Sequence, residues 1–484
     1  MEIIYRHKPV ADSPIKLQVP PDDYPVMLSI PASDGTPHEV TGTITLSGGA
    51  FPTAKIWGNL PLKQTVVGAF TFPQYFEYPV LKGKLSTNQD VILINARMSA
   101  YAIEHATLYA DLALVGNARG AFVDSFTEIR FQVEHLDRCL SFAPIYQVQM
   151  PLDQKNPSLA WSVTERESRY EYWQSEDGTK LTAGFDGLVK TGDPYTMRLR
   201  YIPICEVKTE KPFCAGAVFK EWVRPISGLI SVLTGVDAKV THVELRAAGE
   251  DGAALKLQLY ARWITQSPYA SAERTGSDIS PAMRLGPDAG NLLELALAWR
   301  REAEERSPVF ETYTSMAGIQ DDHPRHRFLL LIQSIEGHYG HANRARLDEE
   351  NQRYQARRAE LLQHLEISKL EEKWLKFARK NLVREKHGQL REALQWSIAS
   401  LPRWVEDGIA ASTLVQEVLP SLPNGSSWRD ALAEVRNGLA HGARGFDPYD
   451  LRNVVMILEK VVRAQVLVVL GADLSSINTM FDDR

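Results

Sequence analysis

Cysteine is scarce in this chain: Cys139, Cys205 and Cys214 are the only three in 484 residues, and no CxxC spacing links them. Three cannot all pair, which argues against a disulfide framework and a structural zinc cluster, and a reducing cytoplasm is the expected setting. Long hydrophobic runs are missing as well. The longest near the C-terminus, Val466–Leu470, is far too short to cross a bilayer. The opening MEIIYRHKPVADSPIK has no apolar stretch of the kind a signal peptide needs, so no membrane partner is expected. Charge is not of one sign. A formal net charge of -6 argues against a globally basic nucleic-acid binder and leaves room only for a local basic groove. No GxxxxGK[ST] phosphate loop, GxSxG nucleophile elbow or HExxH pair occurs, and no repeat or low-complexity tract is visible.

With 44% hydrophobic residues the chain can build two or three packed domains, and its two halves carry different periods. The first half reads as β. In HEVTGTITLSGG, Val40, Gly42, Ile44 and Leu46 share one face before a turn at Gly48 and Gly49. DVILINARM and ATLYADLALVG are short apolar runs, YTMRLRYIPI alternates, and THVELRAAGEDGAALKLQLYARWI predicts two strands flanking GEDG. Such short strands with Gly, Pro and Asp punctuation predict a sandwich-like β-rich domain over 1–268. The Ser/Gly/Pro-rich stretch around 266–281 is the expected boundary.

From 282 to 484 the period is helical, which makes the chain an α+β protein with an all-α bundle as its second half. Pro324 opens a helix that puts Phe328, Leu331, Ile332, Ile335 and Tyr339 on one face. A helix beginning near Trp428 carries RNGLAH and stops at Gly442, a left-handed cap position. Asp447 and Pro448 then start the next one.

RNGLAH holds the residues with chemistry to offer. Asn437 and His441 lie four apart and share a helix face, while Arg436 lies roughly 140° away from His441 on an ideal wheel. Gly438 and Ala440 add no bulk, so a second backbone could approach there. Two copies of the helix across a two-fold axis would bring two arginines and two histidines into one cleft. Spacing alone is weak support, because Arg130/His135 and Arg358/His364 repeat it elsewhere. A histidine in a last turn is also ordinary decoration of a helix end. His323, His326, His338 and His341 form no spacing that suggests a metal site, so none is expected. LVREKHGQLR and NRARLDEENQRYQARR could touch phosphates, though such mixed-charge runs usually face solvent.

RNGLAH resembles the RNxxAH signature of HEPN domains, and RFLLLIQSIEGHYGH resembles the upstream helix of ApeA-like HEPN domains, with Glu336 at its acidic position. TGTITLSGGAFPTAKIWGNL, PVLKGKLSTNQDVILINARM and FKEWVRPISGLISVLTG resemble the N-terminal domain of ApeA-like anti-phage proteins. The resemblance spans most of the chain, and RNGLAH is its one specific motif. It implies a cytoplasmic, homodimeric endoribonuclease of bacterial anti-phage defence (abortive infection), acting without metal or cofactor. A β-rich sensing domain would receive a phage-derived trigger, and a HEPN nuclease domain would cut RNA. Arg436, Asn437 and His441 would be catalytic, supported by Glu336. The alternative is a non-catalytic HEPN-type protein that binds RNA or dimerises.

Overall fold

The computed structural model describes residues 15–31, 36–62, 70–118, 124–149, 162–193, 196–248, 254–265, 279–286, 290–317, 323–368, 371–382 and 390–481. It is an α+β chain with two compact units. One runs through Thr234 and from Ala238 to Leu297, and the other takes Gly235–Asp237 and everything from Ala298. Residues 266–278, most of the boundary segment expected from composition, lie outside the described residues.

The first unit is built on one antiparallel sheet. Its first six strands are β1 (Asp22–Pro31), β2 (Pro37–Leu46), β3 (Thr53–Trp57), β4 (Gln74–Leu85), β5 (Asp90–Ala102) and β6 (His105–Tyr109). They pair in the order β5-β4-β1-β2-β3-β6, and β6 returns to β5, closing a barrel. The alternation read at Val40, Gly42, Ile44 and Leu46 is the buried face of β2. Gly42 is needed there, since a Cβ would sit 2.3 Å from the Lys55 carbonyl oxygen on β3.

Beyond the barrel the same sheet continues through β7 (Leu112–Gly116), β8 (Phe126–Val133), β11 (Tyr170–Gln174), β12 (Lys180–Asp193), β13 (Thr196–Phe213), β14 (Val240–Ala248) and β15 (Ala254–Ala261). From β5 outward the order is β7-β15-β14-β8-β13-β12-β11. A separate hairpin joins β9 (Ile145–Gln149) and β10 (Ser162–Glu165). The expected sandwich is therefore a barrel prolonged by an open sheet, and the branch point shows why. The first half of β5 pairs with β7 and its second half with β6. At the switch Asn95 is left-handed, with φ 52°. Asp111, which splits the apolar run ATLYADLALVG into β6 and β7, accepts from Asn95 Nδ2 (3.2 Å) and from Arg97 (2.6 Å). Its own N–H donates to the Ile94 carbonyl at 3.1 Å, so one aspartate pins both sides of the fork. Two helices accompany this sheet, α1 (Leu136–Cys139) and α2 (Arg224–Thr234), the latter entered through a π-helical turn at Phe219–Val223.

The described helices that follow are α3 (Leu292–Glu304), α4 (Pro308–Ala317), α5 (Pro324–Ala342), α6 (Arg344–Ile367), α7 (Glu372–Asn381), α8 (Leu390–Ile398), α9 (Arg403–Ala410), α10 (Thr413–Val418), α11 (Trp428–His441), α12 (Pro448–Val469) and α13 (Leu474–Asn478). The second unit is organised by α12, whose Leu451, Val454, Leu458, Val461 and Val462 are buried and which packs on α4, α5, α8, α9 and α10. From α5 it receives the expected stripe Phe328, Leu331, Ile332, Ile335 and Tyr339, all buried. Arg327 and Glu459 pair across the two helices at 2.8 Å.

The mixed-charge run NRARLDEENQRYQARR was expected to face solvent, and neither α6, which carries it, nor α7 has a buried residue. Pairs such as Arg346–Glu350 and Lys376–Glu372, one turn apart, hold these helices from their own surfaces. Among the described residues no helix is long and apolar enough to cross a membrane.

Candidate active site

Helix α11 presents RNGLAH because both of its ends are fixed. At the start, the Asp430 carboxylate accepts from the Ser427 N–H (2.7 Å) and hydroxyl (2.8 Å), a reciprocal cap. Those bonds, with the Arg391 cation 2.7 Å away, hold the Asp430 carboxyl below its ordinary pKa. The apolar stripe Trp428, Ala431, Leu432, Val435 and Leu439 then buries one face against α5, α8 and α10. At the other end Gly442 takes φ 66°, and the N–H of Ala443 reaches back to the Gly438 carbonyl at 3.0 Å. The Leu439 carbonyl also accepts from the Arg325 guanidinium of the first turn of α5, at 2.5 Å. That contact places one basic first turn against the end of the motif helix.

Arg436, Asn437 and His441 lie off the buried stripe. Arg436 is half-buried and turns toward α5, where its guanidinium stands 3.3 Å from Glu336 Oε2. It also donates to Asn437 Oδ1 at 3.2 Å. Glu336, Arg436 and Asn437 line an open cleft of ≈ 360 Å³ together with Leu390, Arg391 and Ala433. A second cleft adjoins it over Ala433 and Asn437, between Arg391 and the loop at Pro423–Ser426. Three of the four residues singled out in the sequence therefore meet. The fourth does not: His441 is exposed one turn on and lines neither cleft. Among the described residues its side chain has no hydrogen bond or ion pair. Arg391 is the cleft residue that sequence reading did not single out. It stood inside a mixed-charge run, and only the fold brings it to Asp430 and the cleft mouth.

The small residues play a different part from the one expected. Gly438 is buried under the chain's own return, since a Cβ there would meet Arg444 Cβ at 3.3 Å and the Phe446 ring at 3.4 Å. It makes room for the turn into α12 and offers no surface to a second backbone. Ala440 is exposed.

The other Arg/His spacings are structural. Arg130 pairs with Asp186 inside the sheet, and His135 is a buried residue at the start of α1. Arg358 donates to the Leu382 carbonyl at 3.3 Å, while His364 sits on an exposed helix face beside Glu360. The four histidines of the HPRHRF–HYGH stretch are spread along α5 from its cap to its last turn. His323 accepts from the Arg325 N–H at 3.2 Å, and His338 is buried beside Trp396. Among the described residues no group of three or more His, Cys, Asp or Glu is placed to hold a metal ion.

The arrangement can bind an anion and move a proton. A guanidinium held at a cleft wall by a carboxylate can bond the non-bridging oxygens of a phosphodiester, and an exposed imidazole one turn away can take or give a proton. No family model, curated protein or solved structure matches the chain.

Proposed function

We propose that this protein is a HEPN-type endoribonuclease of bacterial anti-phage defence, cutting RNA without a metal once a phage component is sensed. The observation that carries the reading is the presentation of RNGLAH. Arg436 and Asn437 stand in an open cleft with Glu336, and His441 is held exposed at a capped helix end with no partner among the described residues.

RNA brings its own nucleophile, the 2′-hydroxyl beside the scissile phosphate, so the enzyme must supply only a cation and a proton carrier. Arg436 bonds the non-bridging oxygens as negative charge builds on them. His441 carries the proton between the 2′-hydroxyl, the solvent and the leaving 5′-oxygen, and Asn437 orients the phosphate. Bond formation from O2′ to phosphorus and departure of O5′ leave a 2′,3′-cyclic phosphate. Since His441 does not share the Arg436 cleft within one chain, the working site takes the histidine from a second copy, which makes the active form a homodimer. The β-rich unit is the sensing part in this reading, because it holds none of the RNGLAH machinery and a restrained nuclease needs an element whose state a trigger can shift.

The test is cleavage of cellular RNA by purified full-length protein and by Arg436→Ala and His441→Ala, in EDTA, with phage challenge of cells carrying each. Both substitutions are expected to lower cleavage by about 10²–10⁴-fold with unfolding midpoints unchanged. Protection is expected to vanish, and wild-type products to end in cyclic phosphate. Cleavage by both folded variants at the wild-type rate would remove this site from the chemistry. Activity that chelator abolishes and added metal restores would overturn the metal-free mechanism.

A further inference from the structure

The second unit contains another cleft of ≈ 360 Å³, between α5, α8, α12 and the turn that follows α8. Its walls include Leu401 and Val468, its rim carries Trp396 and the exposed Ser400, and its buried polar side chains are His338, Ser397 and Gln465. Among the described residues no carboxylate, ammonium or guanidinium lines it. His338 is neutral at physiological pH, since burial and then the charge of His341 push it down to about 4. A neutral imidazole carries one donor and one acceptor.

What sets the cleft apart is polar capacity that nothing uses. His338, Ser397 and Gln465 are 6%, 4% and 7% exposed. Yet among the described residues His338 Nδ1, Ser397 Oγ and both Oε1 and Nε2 of Gln465 have no hydrogen-bond partner, and the Ser334 hydroxyl one turn before His338 has none either. Buried polar networks are normally closed on themselves, because each unmade bond costs the full desolvation of the group. Three helices contribute these orphans, and Ala or Leu at the same positions would have avoided the cost. Trp396 is 39% exposed and stands 5.2 Å from the His338 ring and 5.8 Å from Tyr339, so its indole is braced and still offers area to the cleft.

We propose that this cleft is a receptor for an uncharged planar ring with a donor beside an acceptor, the edge that a nucleobase presents. It would be gripped by the Gln465 amide with His338 and Ser397, and packed on Trp396. A glutamine amide has donors and an acceptor in one plane and pairs with such an edge through two parallel bonds, once its flexible side chain has rotated to meet it. The volume lies at the low end of the ~300–1,000 Å³ typical of small-molecule pockets, which suits a single ring system. With no cation on its walls, the cleft gains nothing from a phosphate. None of this depends on whether the chain cuts RNA.

The test is thermal unfolding and calorimetry of the full chain with uridine, guanosine, adenosine and nicotinamide, each also compared with its 5′-phosphorylated form. At least one is expected to raise the unfolding midpoint saturably, with the phosphate changing affinity less than about threefold since no charge meets it. Gln465→Leu is expected to weaken that ligand about tenfold or more, the loss of a paired hydrogen bond, while its ligand-free midpoint stays level or rises. Trp396→Ala serves as the second variant and is expected to weaken binding through lost stacking. A short oligoribonucleotide of the preferred base separates the two sources: tighter binding than the nucleoside points to a base on a strand, equal or weaker binding to a free ligand. The proposal is overturned if none of the four compounds binds, if Gln465→Leu and Trp396→Ala both bind as wild type, or if Gln465→Leu is less stable without ligand. The last result would mean that the amide has a structural partner in solution.

Discussion

Arg436 has two oxygens competing for its guanidinium, Glu336 Oε2 at 3.3 Å and Asn437 Oδ1 at 3.2 Å. The ion pair is not a strong one. Its side chains are 40% and 29% exposed, and such pairs contribute ~0–1 kcal/mol after solvent screening. Under the proposed function that weakness suits Arg436, which would release one anion to take another. In the proposed reading Glu336 is an aiming device: it would fix where the cation points, and a phosphodiester would replace it without great loss. Glu336→Gln is expected to leave stability within ~1 kcal/mol. It should lower the single-turnover cleavage rate about tenfold, the equivalent of one hydrogen bond. That is a smaller loss than Arg436→Ala should show. An unaltered rate would return Glu336 to the status of a surface glutamate.

At the scale of elements, what matters is where α11 begins and ends. The reciprocal Ser427–Asp430 cap fixes its first turn, and Gly442 fixes its last by taking a conformation that other residues adopt only with strain. His441 immediately precedes that glycine, so the geometry of the stop is the geometry of the imidazole. Gly442→Ala is expected to cost about 1 kcal/mol in urea unfolding. Cleavage should fall further than that loss of stability explains, because the final turn unwinds or shifts. A variant as stable and as active as wild type would show that the stop tolerates a Cβ. The contrast with α6 is instructive: that helix is longer than α11, yet it has no buried residue and carries charge pairs along its own surface. Length and helical period do not make a helix part of a core.

For the whole molecule, the geometric fact that bears on the site is that His441 does not line the cleft that Arg436 lines. If the working site combines Arg436 of one copy with His441 of another, two inactive variants can repair each other. A mixture of Arg436→Ala and His441→Ala proteins should form heterodimers in which one of the two sites is intact, and cleavage should return to a substantial fraction of wild type. Failure of the mixture to cleave, with subunit exchange shown by mass measurement, would mean that each site draws both residues from the same chain. The close approach once expected at Gly438 cannot serve that dimer, because Arg444 and Phe446 already cover it. The contact must come from exposed positions such as Ala440 and His441.

The sequence alone determined what depends on neighbours in the chain. The buried face of β2, the start of α5 at Pro324, the left-handed stop at Gly442 and the Asp447–Pro448 start of α12 were all legible, because capping, proline and side-chain alternation act within a few residues. Only the tertiary structure decided what depends on residues far apart. The barrel closes because β5 pairs with β6 along one half and β7 along the other, and the aspartate that forks them lies inside what reads in sequence as one apolar run. Arg391 enters the candidate site by meeting Asp430, a contact across two helices that no local spacing encodes. Gly438 carried one meaning as a small residue in a motif and another beneath Phe446, because free space belongs to the packed molecule and not to the residue. Likewise the four histidines of the α5 stretch are alike in sequence, and it is chiefly burial, with the charge of His341 added, that sets His338 apart, since desolvation is a property of what surrounds a side chain.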